Sequence, residues 1–289
     1  MMNQPFKRRV TEALLSAPSL LWLLVFFAVP IGLVSVLAFR PADLHGGVGS
    51  GWTLDAVKAA ADPAYLPIWW RTLWISAVST LLCLLVGLPM SYHLARMSRR
   101  WQGIMVLLVV LPFLTNFLIR VFAWRTLLHP DGMLCRALIS MGVMTEEQQL
   151  LYNAGAVVVV MFYVQLPFAI LPLYAAAEKF DFSLLDAARD LGAGELRAFW
   201  EVFVPGVRGG LAAASLMVFI GAIGQYVIPQ MVGGVDSEMI GNKIAQRVFS
   251  DRNLPEASAL SSLLLLGVLL LLVVNALRRH YASKEVPIA

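Results

Sequence analysis

The sequence predicts an all-α membrane protein with six transmembrane helices, and three observations carry that expectation. Of the 289 residues, 59% are hydrophobic and only 14% charged, with a mean hydropathy of +0.75. A soluble domain would carry roughly 25% charged residues, so the bilayer must be the solvent for much of this chain. Apolar runs of the length that crosses a membrane, about 20 residues, recur six times, and tryptophans gather at their ends.

The runs are 19–39, 70–95, 103–124, 154–177, 209–231 and 257–277. The first follows Lys7, Arg8 and Arg9, the basic start of a signal peptide, but it is too long for one and no small-x-small cleavage site follows. It is expected to remain as an uncleaved span. Trp69, Trp70 and Trp74 mark the outer start of the second run, and Trp101 and Trp124 bracket the third. Indoles favour that boundary, where one edge is apolar and the other finds a hydrogen bond. The intervening outer loops are long enough for short surface helices and too short for separate domains. The whole chain is expected to form one transmembrane domain.

Orientation follows from basic residues. With the N-terminus inside, the cytoplasmic segments hold Lys7, Arg8, Arg9, Arg96, Arg99, Arg100, Lys179, Arg189, Arg197, Arg208, Arg278, Arg279 and Lys284, 13 of the 22 Lys and Arg. The others are Arg40, Lys58, Arg71, Arg120, Arg125, Arg136, Lys243, Arg247 and Arg252. This bias places both termini in the cytoplasm. The formal charge of +4 is scattered in short clusters between apolar runs, a pattern of topology and not of a nucleic-acid face. Cys83 and Cys135 read as two unrelated thiols, and His45, His93, His129 and His280 lie apart without ligand spacing, so no metal site is expected. No glycine-rich phosphate loop is present; Gly241-Asn242-Lys243 lacks both the preceding glycine spacing and the hydroxyl. The chain is therefore not expected to hydrolyse ATP or to carry a catalytic site.

The segment 178–208 is longer than a connector needs and contains LLDAARDLGAGELRAFWEVFVPG at 184–206. Ser183 followed by Asp186 resembles a capping box and predicts a helix to about Leu191. Gly192 sits where a left-handed residue closes a helix. A second helix is expected from Glu195 to Phe203, stopped by Pro205 and Gly206, with Leu196, Phe199, Trp200 and Phe203 on one face. Six charged residues keep the hairpin out of hydrocarbon. It serves either as a docking element or as an amphipathic connector on the bilayer surface.

Asp186-Ala187-Ala188, three residues, Gly192, nine residues, then Val202-Phe203-Val204-Pro205 resembles the EAA loop of bacterial ABC importer permeases. Asp186 replaces the family glutamate, and Val202 and Val204 replace its aliphatic pair. The resemblance implies a type I ABC importer permease fold whose hairpin fits a groove on an ATPase subunit. Asp186, Ala187, Ala188, Gly192, Glu195, Phe199 and Pro205 would couple the two. It also implies a second permease, two ATPase subunits that bind ATP and Mg, and an extracytoplasmic binding protein, with no cofactor in this chain. LPFLTNFLIRVFAW at 111–124, and GGVDSEMIGNKI through RNLPEASAL at 233–260, are similar to the spermidine/putrescine branch.

Polar residues at membrane depth are the remaining signal, because they are costly unless they face protein or water. Thr115, Asn116, Tyr163, Gln165, Gln225 and Tyr226 are the pathway candidates, with Pro167 and Pro229 nearby to loosen the helices. Gln165 and Asn116 have the alternative of bonding between helices, and Tyr163 of packing. Arg120 is expected to snorkel to the outer interface. No Asp or Glu lies within the six runs. That leaves a monocation, a zwitterion or an amino-acid-like solute as alternatives to a polyamine, or a partner permease that supplies the acid. A self-sufficient secondary transporter would show inverted repeats and buried ionisable pairs, and neither is visible.

Overall fold

The computed structural model describes residues 15–43, 46–145 and 148–282, with side chains through residue 277. Lys7, Arg8, Arg9, His45 and Lys284 lie outside the described residues, as do the side chains of Arg278, Arg279 and His280. The described residues are helical apart from loops and one isolated bridge between Ala42 and Val48. The chain divides into two compact units, Met1–Tyr65 with Lys243–Ala289, and Leu66–Asn242.

In the first unit, α1 (Leu15–Leu37) is an apolar helix with no residue buried along its span. It widens to a π turn over Leu24–Ala28 before Pro30, whose ring cannot donate to the turn above. The short helix α2 (Asp55–Ala60) starts at Asp55, which accepts a 2.6 Å bond from the Thr53 hydroxyl. The last helix, named α13 below, runs Leu254–Ala282 and packs against α1 and α2. Its start is held by a polar knot: the Tyr65 hydroxyl donates to Glu256 Oε1 at 2.7 Å and accepts from Arg247 Nη2 at 2.9 Å, while Arg247 Nη1 pairs with Asp251 at 2.7 Å. The Tyr65 bond is the main cause that holds the Arg247 guanidinium above its ordinary pKa.

The second unit is built on three helices, α3 (Leu66–Arg96), α7 (Ala154–Ala177) and α10 (Arg208–Ile223), packed pairwise. Lipid gives no hydrophobic reason for helices to associate, so close backbone approach must. At Gly210 a Cβ would collide with Ala176 and lie 2.9 Å from the Pro172 carbonyl oxygen, so the α7–α10 contact needs glycine there. Asn153 caps α7, accepting from the Ala156 amide at 2.9 Å.

Two expected spans are interrupted. The third is not one helix over 103–124 but α4 (Arg99–Leu114) and α5 (Phe117–Leu128), and Arg99–Leu114 meets the stretch Phe117–Ser140 at a bend of 88°. Pro112 lacks the amide that would continue the ladder, Thr115 is extended, and the Asn116 side chain opens α5 by accepting from the Leu118 amide at 2.8 Å. The fifth does not run to Met231: α10 ends at Ile223, and α11 (Val227–Val232) resumes after Gly224–Tyr226. Pro229 cannot bond the Gln225 carbonyl four residues back, while the Tyr226 carbonyl accepts from the Gln230 amide at 3.0 Å and from Asn242 Nδ2 at 2.9 Å. By length and composition, four helices suffice to cross a membrane, or six if each bent pair is one span. The surface helices expected outside are α2, α6 (Met133–Ser140) and α12 (Ile240–Phe249).

Candidate functional sites: a helical hairpin and a polar cleft

The hairpin is two helices, α8 (Ser183–Asp190) and α9 (Glu195–Gly206), and α9 meets α10 at a 75° bend. Ser183 is not the cap. It is the first helical residue, and its amide donates to Asp181 Oδ1 at 3.0 Å. The Ser183 hydroxyl and amide hold the Asp181 carboxyl below its usual range. Gly192 takes φ +89°, a conformation side chains resist, and the closing bonds run from its amide to Arg189 O (2.8 Å) and from Ala193 N to Ala188 O (3.0 Å). Arg189 then staples the elbow, with Nη1 on Asp186 and Nη2 on Glu195, each at 3.3 Å.

Pro205 does not stop α9. The helix opens into a π turn at Phe199–Phe203, so the ring is accommodated and the last turn continues to Gly206. The face expected to be uniformly apolar divides in consequence. Phe203 is fully buried, and Phe199 stacks on it at 5.3 Å. Tyr92 of α3, Phe180 and Phe182 complete this aromatic base. The tip is the reverse: Leu191 is 89% exposed, Leu196 73%, Leu184 50% and Trp200 49%. Ala187 is exposed and Ala188 half-buried, leaving α8 low-profile beside that tip. Sequence reasoning gave no role to Arg189 and missed the base; the base's signal was the aromatic pair Phe180 and Phe182 just before α8.

The cleft lies at the α4–α5 break and has a volume of about 450 Å³. Thr115, Gln165 and Gln225 come together on its wall, with Gly221 beside Gln165. The rings of Phe113, Phe117 and Phe168 form much of the rest. Arg120 does not snorkel outward. The bend turns it inward, where it is 8% exposed, lines the cleft, and carries its guanidinium 5.6 Å from the Phe113 ring centre. Its Nε–H has no acceptor, and the same is true of Nε2 of Gln165, which is 4% exposed. The other three predicted residues lie outside this wall. Asn116 is occupied as the cap of α5, Tyr163 packs on Trp124 at 5.3 Å, and Tyr226 is half-exposed and contributes its carbonyl to Asn242.

Residues 5–284 match the family model described as "binding-protein-dependent transport system inner membrane component". The chain belongs to this family. It is a multi-pass inner-membrane component of a binding-protein-dependent importer, a transport subunit and not an enzyme. It is 34% identical over 260 residues to the spermidine/putrescine transport system permease protein PotB of Haemophilus influenzae, covering 90% of this chain and 89% of that one. PotB of Escherichia coli is 31% identical over 259 residues, covering 89% and 94%. The fold matches the crystal structure of a bacterial ABC transporter involved in the import of the acidic polysaccharide alginate, with a TM-score of 0.72 over 99% of this chain and 100% of that one at 15% identity. The architecture is thus that of an ABC importer permease.

Proposed function

We propose that this permease carries a small amine-bearing solute, of the polyamine kind named for its relatives, and that α8 and α9 are the handle by which an ATPase moves it. The observation that carries this reading is the hairpin's division into a buried aromatic base and a bare apolar tip. Four large apolar side chains facing water cost solvation, and that cost is recovered when a groove covers them. The base meanwhile joins the hairpin to α3 through Tyr92, so a push on the tip reaches a spanning helix.

In the assembled importer, both termini face the cytoplasm. A second permease completes the pathway, and an extracytoplasmic binding protein delivers solute. Two ATPase subunits bind ATP and Mg²⁺ and seat one hairpin each; their closure tilts the spans outward, and hydrolysis resets them. The PotB relatives support the solute class, and the absence of a phosphate-binding loop supports separate ATPases. Gly192→Pro tests the reading. Proline cannot take φ +89° and removes the amide bonded to Arg189 O. The variant is expected to insert at normal yield and to lose the ATPase subunits on co-purification. Their recovery at wild-type stoichiometry would count against the handle.

A further inference from the structure

A second cavity, of about 590 Å³, lies between α3 and α4, which are joined only by Met97 and Ser98. From α3 it is lined by Leu85, Pro89 and His93, and from α4 by Met105, Leu108 and Val109. Every lining side chain but His93 is apolar. A groove without hydrogen-bonding groups along its length suits a hydrocarbon chain and penalises a polar solute. Its mouth has the opposite chemistry. His93, Arg96, Arg99 and Arg100 are all exposed at the turn between the two helices, and the run from Pro63 to Pro130 holds no Asp or Glu. Among the described residues neither Arg99 nor Arg100 pairs with a carboxylate. Arg99 shares the neighbourhood of Tyr174 with Glu178, which leaves Arg100 the less screened of the two. Trp101 is exposed on the α4 face that carries Met105 and Leu108, and an indole beside a basic turn marks the headgroup level of a bilayer.

Basic residues beside a span are ordinary topology; what sets this turn apart is the apolar groove that opens beneath it. A single ligand class matches both halves. We infer that the α3–α4 groove is a binding site for an anionic phospholipid, with an acyl chain along Leu85, Pro89, Met105 and Leu108 and the headgroup phosphate on Arg100 and Arg99. Guanidinium groups hold phosphate oxygens through paired, charge-assisted hydrogen bonds, and basic pockets between spanning helices select anionic headgroups. A zwitterionic phospholipid has the same chain and phosphate but brings its own cation beside the arginines, so it binds less well. Free phosphate lacks the chain. The site goes beyond the importer reading and holds whichever solute passes. It also adjoins the hairpin's base: Arg96, on the same turn, donates from Nη1 to the Tyr92 hydroxyl at 2.6 Å and lies 5.9 Å from the Phe182 ring centre.

The test reconstitutes the assembled complex in phosphatidylcholine vesicles that contain, at equal mole fraction, a probe lipid with a photoreactive group on one acyl chain. The probe is either phosphatidylglycerol or phosphatidylcholine, and mass spectrometry locates the labelled peptides after illumination. In the wild type, the stretches 85–97 and 101–109 are expected to take about tenfold more label from phosphatidylglycerol than from phosphatidylcholine. Arg99→Gln combined with Arg100→Gln should bring phosphatidylglycerol down to the phosphatidylcholine level, whereas the paired lysine substitutions should keep most of the preference. Leu108→Trp should fill the groove and reduce labelling by both lipids. Raising the salt concentration needs no variant and should erode the wild-type preference, because the arginines are exposed. Equal labelling of the wild type by the two lipids would overturn the inference, as would a preference that survives the double glutamine change or high salt. Absence of label from both lipids in the groove would also overturn it, since a helix of the second permease would then occupy the space.

Discussion

The hairpin exposes apolar side chains and pairs its arginines with carboxylates, although Arg189 Nε is buried without an acceptor, whereas the cleft region buries Arg120 and Gln165 with Nε and Nε2 unmatched. On the hairpin, Arg189 and Arg197 meet Asp186, Glu195 and Glu201, while Leu191 and Leu196 stand in water. In the cleft, Arg120 and Gln165 are shielded from solvent with Nε and Nε2 idle. Each region breaks an ordinary rule of burial: the hairpin leaves apolar side chains bare, and the cleft region buries donors without acceptors.

The comparison is sharpened most by Phe203→Ala. Phe203 is fully buried among Tyr92, Phe180, Phe182 and Phe199, so the change opens a cavity at the hairpin's base. Its cost should be about 3–5 kcal/mol, seen as a lowered unfolding midpoint of the solubilised chain and early proteolysis within α8 and α9. A smaller effect, confined to assembly, is expected from Leu196→Ser combined with Trp200→Ser. Both side chains are about half exposed or more, so stability should change by about 0.5 kcal/mol or less per site. Affinity for the ATPase should nevertheless fall at least about tenfold, as truncation of an interface anchor does. If the two variants behaved alike, the division between base and tip would be wrong.

Much of the hairpin was legible in the sequence, because its landmarks are residues with singular backbone properties. A glycine nine residues after Ser183 and before a second amphipathic run has few uses other than a left-handed elbow, and Gly192 takes that conformation. Pro205 misled, since a π turn absorbs a proline that would end a regular helix. Ser183 misled because Asp181, two residues earlier, is the better-placed acceptor. The cleft was less legible. Hydropathy runs unbroken through LPFLTNFLIR at 111–120, so the segment scans as one span, although Pro112 with the capping residue Asn116 marked the break. Arg120 could not be placed without the 88° bend, which decides whether its long side chain reaches the outer surface or the cavity. Thr115, Gln165 and Gln225 are conspicuous as polar groups in apolar runs and share the cleft wall, whereas Tyr163 packs on Trp124 and Tyr226 lies off that wall.

The most direct measurement is a cross-link from the elbow. Leu191 is 89% exposed, and this chain's native thiols Cys83 and Cys135 are buried, so Leu191→Cys gives this subunit one exposed thiol. A short bifunctional reagent on that thiol should join this chain to an ATPase subunit, with a yield that changes when ATP is added. A thiol that is freely labelled from the cytoplasm in a complex that still transports, yet never joins the ATPase, would contradict the claim that this hairpin is where the engine takes hold.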